Sequence, residues 1–177
     1  MKYDKNVLPA LLFGVALLLP VGALCLSFAR AEAVQAEAVG MPNPFEDYAT
    51  LHQAQRAAGF RLHLPRAPKA YPVAIYRVAK GLQLLEVIRY PSEATAKAGE
   101  GEGYRIRKEV GTGDISGDYN AYAEEREVQE KGRTIHLRGR DGRVFVAWWT
   151  DGKYAYSLTA LDGMEQEEAL RLVRAIR

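Results

Sequence analysis

Cysteine, histidine and tryptophan are scarce in this chain of 177 residues: there is one cysteine, Cys25, with three histidines and two tryptophans. A single cysteine excludes an intramolecular disulfide. Because Cys25 lies in an amino-terminal hydrophobic run, everything beyond that run also lacks a thiolate nucleophile or metal ligand. His52, His63 and His136 stand too far apart for metal-ligand spacing, and each reads as a surface or half-buried side chain. No Gly-x-Ser-x-Gly segment surrounds Ser92, Ser116 or Ser157, so the nucleophile elbow is absent. The glycines at 99, 101, 103, 111 and 113 lack the lysine-serine pair and following helix of a phosphate loop. Nor does one sign of charge prevail. The 24 Lys and Arg oppose 22 Asp and Glu, with both signs interspersed, which argues against a nucleic-acid partner. Even the densest basic stretch, Arg133, Arg138, Arg140 and Arg143, reads as a solvated strand face.

What the sequence does have is a long uncharged run, Val7 to Ala29, preceded by Lys2 and Lys5. A charge at a bilayer centre costs roughly 2.5–3.5 kcal/mol, and none interrupts this run. The flanking lysines favour the inside, so the chain beyond the run is expected outside the cytoplasm. Two outcomes are open. The stretch Ala10–Leu19 between Pro9 and Pro20 makes a secretory core, and Ala-x-Ala sites come after it at Ala29, Ala31 and Ala36, as for a cleaved signal peptide. The full run is also long enough to stay as a membrane anchor through residues 7–29. Bulky Leu24 just before Cys25 disfavours lipidation. Residues 1–33 are therefore read as signal peptide or anchor. The Ala-Glu-Ala-Val repeats that end at Gly40 place a linker at 34–42, and one globular domain is expected over 43–177.

Within that domain, Thr50 and Gln53 have capping-box spacing and Gly59 supplies a stop, which predicts a short helix over Leu51–Ala58. From Phe60 to Ala160 the apolar period falls to two. Strands are expected at Arg61–Leu64, Val73–Val78, Leu82–Tyr90, Tyr104–Val110, Glu124–Glu130, Thr134–Gly139, Arg143–Thr150 and Tyr154–Ala160. Pro91–Glu102 reads as a connection able to bury little. Lys131-Gly132, Asp141-Gly142 and Asp151-Gly152 mark tight hairpins, so the later strands should be consecutive antiparallel neighbours. Ala169, Leu172, Val173 and Ile176 stripe a closing helix over Met164–Ile176. The expected fold is α+β: a curved, mainly antiparallel meander sheet of about seven strands, with a short helix before it and a C-terminal helix packed on one face.

Two constellations stand out. Asp114, Ser116, Asp118 and Asn120 offer oxygens at alternate positions of one loop, a spacing compatible with a cation but lacking the glycine and closing glutamate of an EF-hand; the competing reading is a chain of Asx turns, and no metal or cofactor is expected. Trp148, Trp149, Tyr154 and Tyr156 concentrate aromatics in the last hairpin. Successive strand residues face opposite ways, so only one tryptophan can be core. The other is free to line an apolar or glycan-binding cleft.

Asn43-Pro44-Phe45, Leu85-Glu86-Val87-Ile88-Arg89-Tyr90, Asp114-Ile115-Ser116-Gly117-Asp118-Tyr119-Asn120 and Trp149-Thr150-Asp151-Gly152 together resemble the bacterial family known as domain of unknown function 4367, over nearly all of residues 43–177. The resemblance implies an extracytoplasmic domain after a signal or anchor, and assigns no catalytic residue. The expectation is a non-catalytic binding or sensing module of the cell envelope, its partner a small molecule, an envelope component or a protein. One alternative is an envelope hydrolase using Asp114, Asp118 or Glu86 as acid and base. Another is a regulatory ectodomain that contacts another protein.

Overall fold

Pro44 has no amide to donate and stands just outside the first strand, β1 (Phe45–Tyr48), which precedes the predicted helix. The computed structural model describes residues 43–177, within a unit that spans Met41–Arg177. Helix α1 (Leu51–Ala58) is capped as its sequence requires: Thr50 Oγ1 accepts from the Gln53 amide at 3.2 Å, and Gly59 turns the chain out at φ 82°. The segment after it does not form the strand expected at Arg61–Leu64. It runs extended, and His63 exchanges both backbone bonds with Arg177 (2.7 and 3.2 Å) instead of joining the sheet.

Strand β2 (Val73–Ala79) leads through a 3-10 turn at Lys80–Leu82 into β3 (Leu84–Tyr90). The connection beyond holds an additional helix, α2 (Glu93–Ala98), set by a Ser92–Thr95 capping box and ended by Gly99. Strand β4 (Tyr104–Val110) comes next, then a long connection over residues 111–123. Strands β5 (Glu124–Glu130), β6 (Arg133–Arg140), β7 (Arg143–Asp151) and β8 (Tyr154–Glu165) succeed one another before helix α3 (Gln166–Ala175). The β5–β6 and β6–β7 turns place both central residues at positive φ, the twist that suits a two-residue hairpin.

All eight strands form one antiparallel sheet in the order β1-β2-β3-β4-β8-β7-β6-β5. It comprises two four-stranded meanders, joined where β4 pairs with β8. Residues 111–123 must therefore travel across the sheet to reach the far edge at β5. The two faces are unlike. One carries Val78, Leu85, Val87, Ile106, Ile135, Leu137, Trp149, Tyr156 and Leu158, and packs against Ala54 and Ala58 of α1 and Ala169, Leu172, Val173 and Ile176 of α3. The other carries a small apolar cluster at one end, where Ile88 and Tyr90 meet Ala96 of α2; beyond it charged and hydroxyl side chains are interspersed with buried Ala79, Leu84 and Val146. Every strand and both large helices contribute to the unit's own core and ladders, which identifies Met41–Arg177 as able to fold by itself.

Among the described residues no helix is long and apolar enough to cross a membrane. The run Val7–Ala29, Cys25 and the linker at 34–42 lie outside the described residues.

Candidate functional site: a strapped polar face

Antiparallel register aligns one residue from each strand into a single row on the polar face: Asp47, Arg77, Glu86, Arg107, Ser157, Trp148, His136 and Glu127. Directly paired residues project from the same side of a sheet, so the row is continuous across all eight strands. Glu86, fully buried, lies at the charged end of this row. Its carboxylate accepts from both Nε (2.8 Å) and Nη2 of Arg77 and from Nε of Arg107 (2.7 Å), with Arg105 Nε 3.5 Å away. Arg105 also donates to Glu102 at 2.6 Å, and Phe45 covers the guanidiniums of Arg77 and Arg107 at 4.9 and 5.9 Å. A buried carboxylate is tolerable only where donors replace its water; here the guanidiniums of Arg77 and Arg107 do so, and that of Arg105 adds its charge without a hydrogen bond.

The connection from β4 to β5 is a strap fastened over this face. Arg107 Nη1 donates to the carbonyls of Ile115 (3.2 Å) and Ser116 (2.8 Å). On the far side, Arg138 Nη2 donates to Asp114 Oδ2 (2.6 Å), Ser116 Oγ (3.2 Å) and the Asp118 carbonyl (3.1 Å). Ser157 and Thr159, on β8 between these two arginines, are buried and their hydroxyls have no partner among the described residues. Gly117 is favoured at its position: its φ is +67°, and a Cβ there would run into Arg107 Nη1.

Of the four side chains that the sequence offered to a cation, Asp114, Ser116 and Asp118 spend oxygens on the strap itself. Asp114 Oδ1 accepts from the Ser116 amide (2.8 Å), Ser116 Oγ from the Asp118 amide (3.2 Å) and Asp118 Oδ1 from the Asn120 amide (2.9 Å). These are successive Asx and Ser turns. Tyr122 Oη donates to Asp118 Oδ2 at 2.7 Å. Burial alone would raise the Asp118 pKa, but the hydrogen bonds from Tyr122 and Asn120 and the charge of Arg138 outweigh it and hold the carboxyl below its ordinary range. No group of three or more metal-ligating side chains converges among the described residues.

The four aromatics of the last hairpin divide between the faces. Trp149 is fully buried in the core, stacked on Tyr156 with ring centroids 5.2 Å apart. Tyr154 packs edge-on against Phe60 at 5.3 Å. Between these rings sits buried Lys108, whose Nζ lies 4.2 Å from the Tyr154 centroid and donates to the Arg61 carbonyl at 2.6 Å; burial pushes its pKa down. Trp148 alone belongs to the polar face. Half-buried, it stacks on His136 at 3.8 Å and 8°, and His136 Nδ1 lies 3.2 Å from Glu127. Trp148, His136, Glu125, Glu127 and Arg138, from β5, β6 and β7, line a cleft of about 240 Å³ that reaches the strap through Arg138. A second hollow of about 260 Å³, lined by Asp118, Tyr122, Arg140 and Phe145, lies elsewhere along the strap.

Sequence reasoning named both tryptophans and the loop as candidates, but neither which tryptophan would leave the core nor what joins it to the strap. The signal was alternation within each strand: Arg105 and Arg107 on β4, and His136 and Arg138 on β6, share a face with Glu86 and Trp148 once the register is known. Sheet and strap together define an α+β domain with one face closed by helices and the other fastened under its own connecting segment. No family model, curated protein or solved structure matches this chain.

Proposed function

We propose that this chain is an exported, non-catalytic binding module of the cell envelope, of the kind its resemblance to domain of unknown function 4367 implies, and that it takes ligand in the cleft beside the strap. The observation that carries this reading is Trp148, an aromatic ring held flat by His136 and flanked by the polar groups of Glu125, Glu127 and Arg138. An aromatic platform edged by hydrogen-bonding groups suits a ring with an apolar face and a hydroxylated rim, as in a sugar. At about 240 Å³ the cleft is smaller than the roughly 300–1,000 Å³ that encloses a whole small molecule, so it takes one ring or the end of a longer chain.

The hydrolase alternative has less support. Glu86 is fully enclosed by arginines, Asp114 is paired with Arg138, and Asp118 is held ionised by its hydrogen bonds. Glu125 and Glu127 do share the cleft, but both are exposed to water, without the apolar burial that lets a carboxyl act as an acid. The test is a tryptophan fluorescence titration with soluble muropeptides, peptides and lipids. A saturable change that disappears in Trp148→Phe supports the reading. No response to any of the three ligands, or hydrolysis of one that is lost in Glu127→Gln, would overturn it.

A further inference from the structure

Between Asp47 and Glu86 the chain contains no Asp or Glu, yet it carries Arg56, Arg61, Arg66, Lys69, Arg77 and Lys80. Two of these cations are paired, Arg77 with Glu86 and Lys80 with Glu46. Arg56, Arg61, Arg66 and Lys69 are different: all four are at least partly exposed and form no ion pair among the described residues. Helix α1 and the extended segment after it bring them together. Arg56 in the last turn of α1 and Arg61 line a groove of about 610 Å³ whose apolar lining includes Leu51, Phe60 and Leu64. Arg66 and Lys69 continue the basic stretch past Pro65, lining a second hollow against α3.

We infer that this surface, on the helix-packed side and away from the strap, docks on an anionic phospholipid bilayer. Charge complementarity selects the partner. A surface rich in anionic lipid attracts each nearby basic side chain within about a Debye length, and four unpaired cations on one short stretch act together. The groove offers little platform for bases: Phe60, its one large apolar ring, is 8 % exposed, and its two exposed rings, His52 and His63, are small imidazoles beside Leu51 and Leu64. Arg and Lys around an apolar groove match phosphate headgroups above glycerol and acyl carbons. This inference stands apart from the ligand cleft and does not depend on it.

Co-sedimentation of the Met41–Arg177 unit with vesicles tests it, since that unit lacks the hydrophobic run and any binding must come from the domain. Binding is expected to vesicles of phosphatidylglycerol and phosphatidylcholine but not to phosphatidylcholine alone, and to fall as salt is raised. Each neutralisation weakens binding about fivefold, so a variant combining Arg56→Gln, Arg61→Gln, Arg66→Gln and Lys69→Gln loses several hundredfold, roughly, while its circular dichroism melt is unchanged. Neutralising four other exposed cations, Lys97, Lys131, Arg140 and Lys153, reduces binding by less than about fivefold. Equal binding to neutral vesicles, no vesicle binding, equal loss in both fourfold variants, or tighter binding to DNA than to anionic vesicles would each overturn the inference.

Discussion

Glu86→Gln tests how the polar face is held together. With Glu86 present, its carboxylate and that of Glu102 face Arg77, Arg105 and Arg107; without it, Arg105 keeps Glu102 while Arg77 and Arg107 lose their carboxylate. Breaking a buried ion pair from one side costs about 3–5 kcal/mol, because the stranded charge has little water to turn to. Arg107, 13 % exposed, carries most of that cost, whereas Arg77 at 25 % can hydrate in part, which places the expected loss near the lower end, about 3 kcal/mol. For a unit of this length, that corresponds to a fall in Tm of about 10 °C. Urea unfolding of the Met41–Arg177 unit measures the loss directly, with Glu127→Gln, 62 % exposed, as a control expected within about 0.5 kcal/mol. Combining Glu86→Gln with Arg107→Gln should cost less than the two singly, by about 1–3 kcal/mol of coupling. A loss below about 1 kcal/mol for Glu86→Gln, or strict additivity in the double variant, would refute the view that this carboxylate fastens the face.

Gly117→Ala forces a side chain into the left-handed region and into Arg107 Nη1; it should release the strap at a cost of about 1–3 kcal/mol, seen as faster amide exchange over residues 111–123 with the sheet still protected. Trp149→Ala empties the core and should cost about 3–5 kcal/mol, whereas Trp148→Ala should cost much less; acrylamide should quench only the emission that Trp148→Phe removes. Burial raises the Tyr156 hydroxyl from about 10 to about 12, so its stabilising share is fully present below pH 10 and is lost as pH climbs through 12. Unfolding followed from pH 9.5 upward should show wild type losing on the order of 2 kcal/mol more than Tyr156→Phe.

Local punctuation made most of the elements legible. Lys131-Gly132 and Asp141-Gly142 set the β5–β6 and β6–β7 hairpins because a tight turn needs positive φ, and Asp141 and Gly142 adopt it at 52° and 72°; at the third hairpin Asp151 still belongs to β7 and Gly152 and Lys153 make the turn. Thr50 and Gly59 bounded α1 for equally local reasons. Misreadings arose where partners were distant. Arg61–Leu64 has strand-like alternation, but His63 bonds to Arg177, a partner no window around residue 63 contains. Helix α2 buries only Ala96, so its apolar periodicity was too faint to outweigh its charges and the glycines that follow it, although Ser92 and Thr95 carried the cap. Alternation likewise established that Trp148 and Trp149 part company. It could not say that the first would meet His136 and the second Tyr156.

The amino-acid order by itself carried the α+β class, the hairpins and the oxygen-rich loop, and raised the expectation of export from the uncharged run Val7–Ala29, because each rests on hydropathy or on the φ preferences of a few adjacent residues. Only the tertiary structure decided that β4 would lie beside β8, that the loop would therefore cross the sheet as a strap, and that Arg107 and Arg138 would fasten it. Those outcomes depend on which strands share an edge and which side chains share a face. Such pairing is settled by burial of the whole apolar surface at once, and no short stretch of chain encodes it.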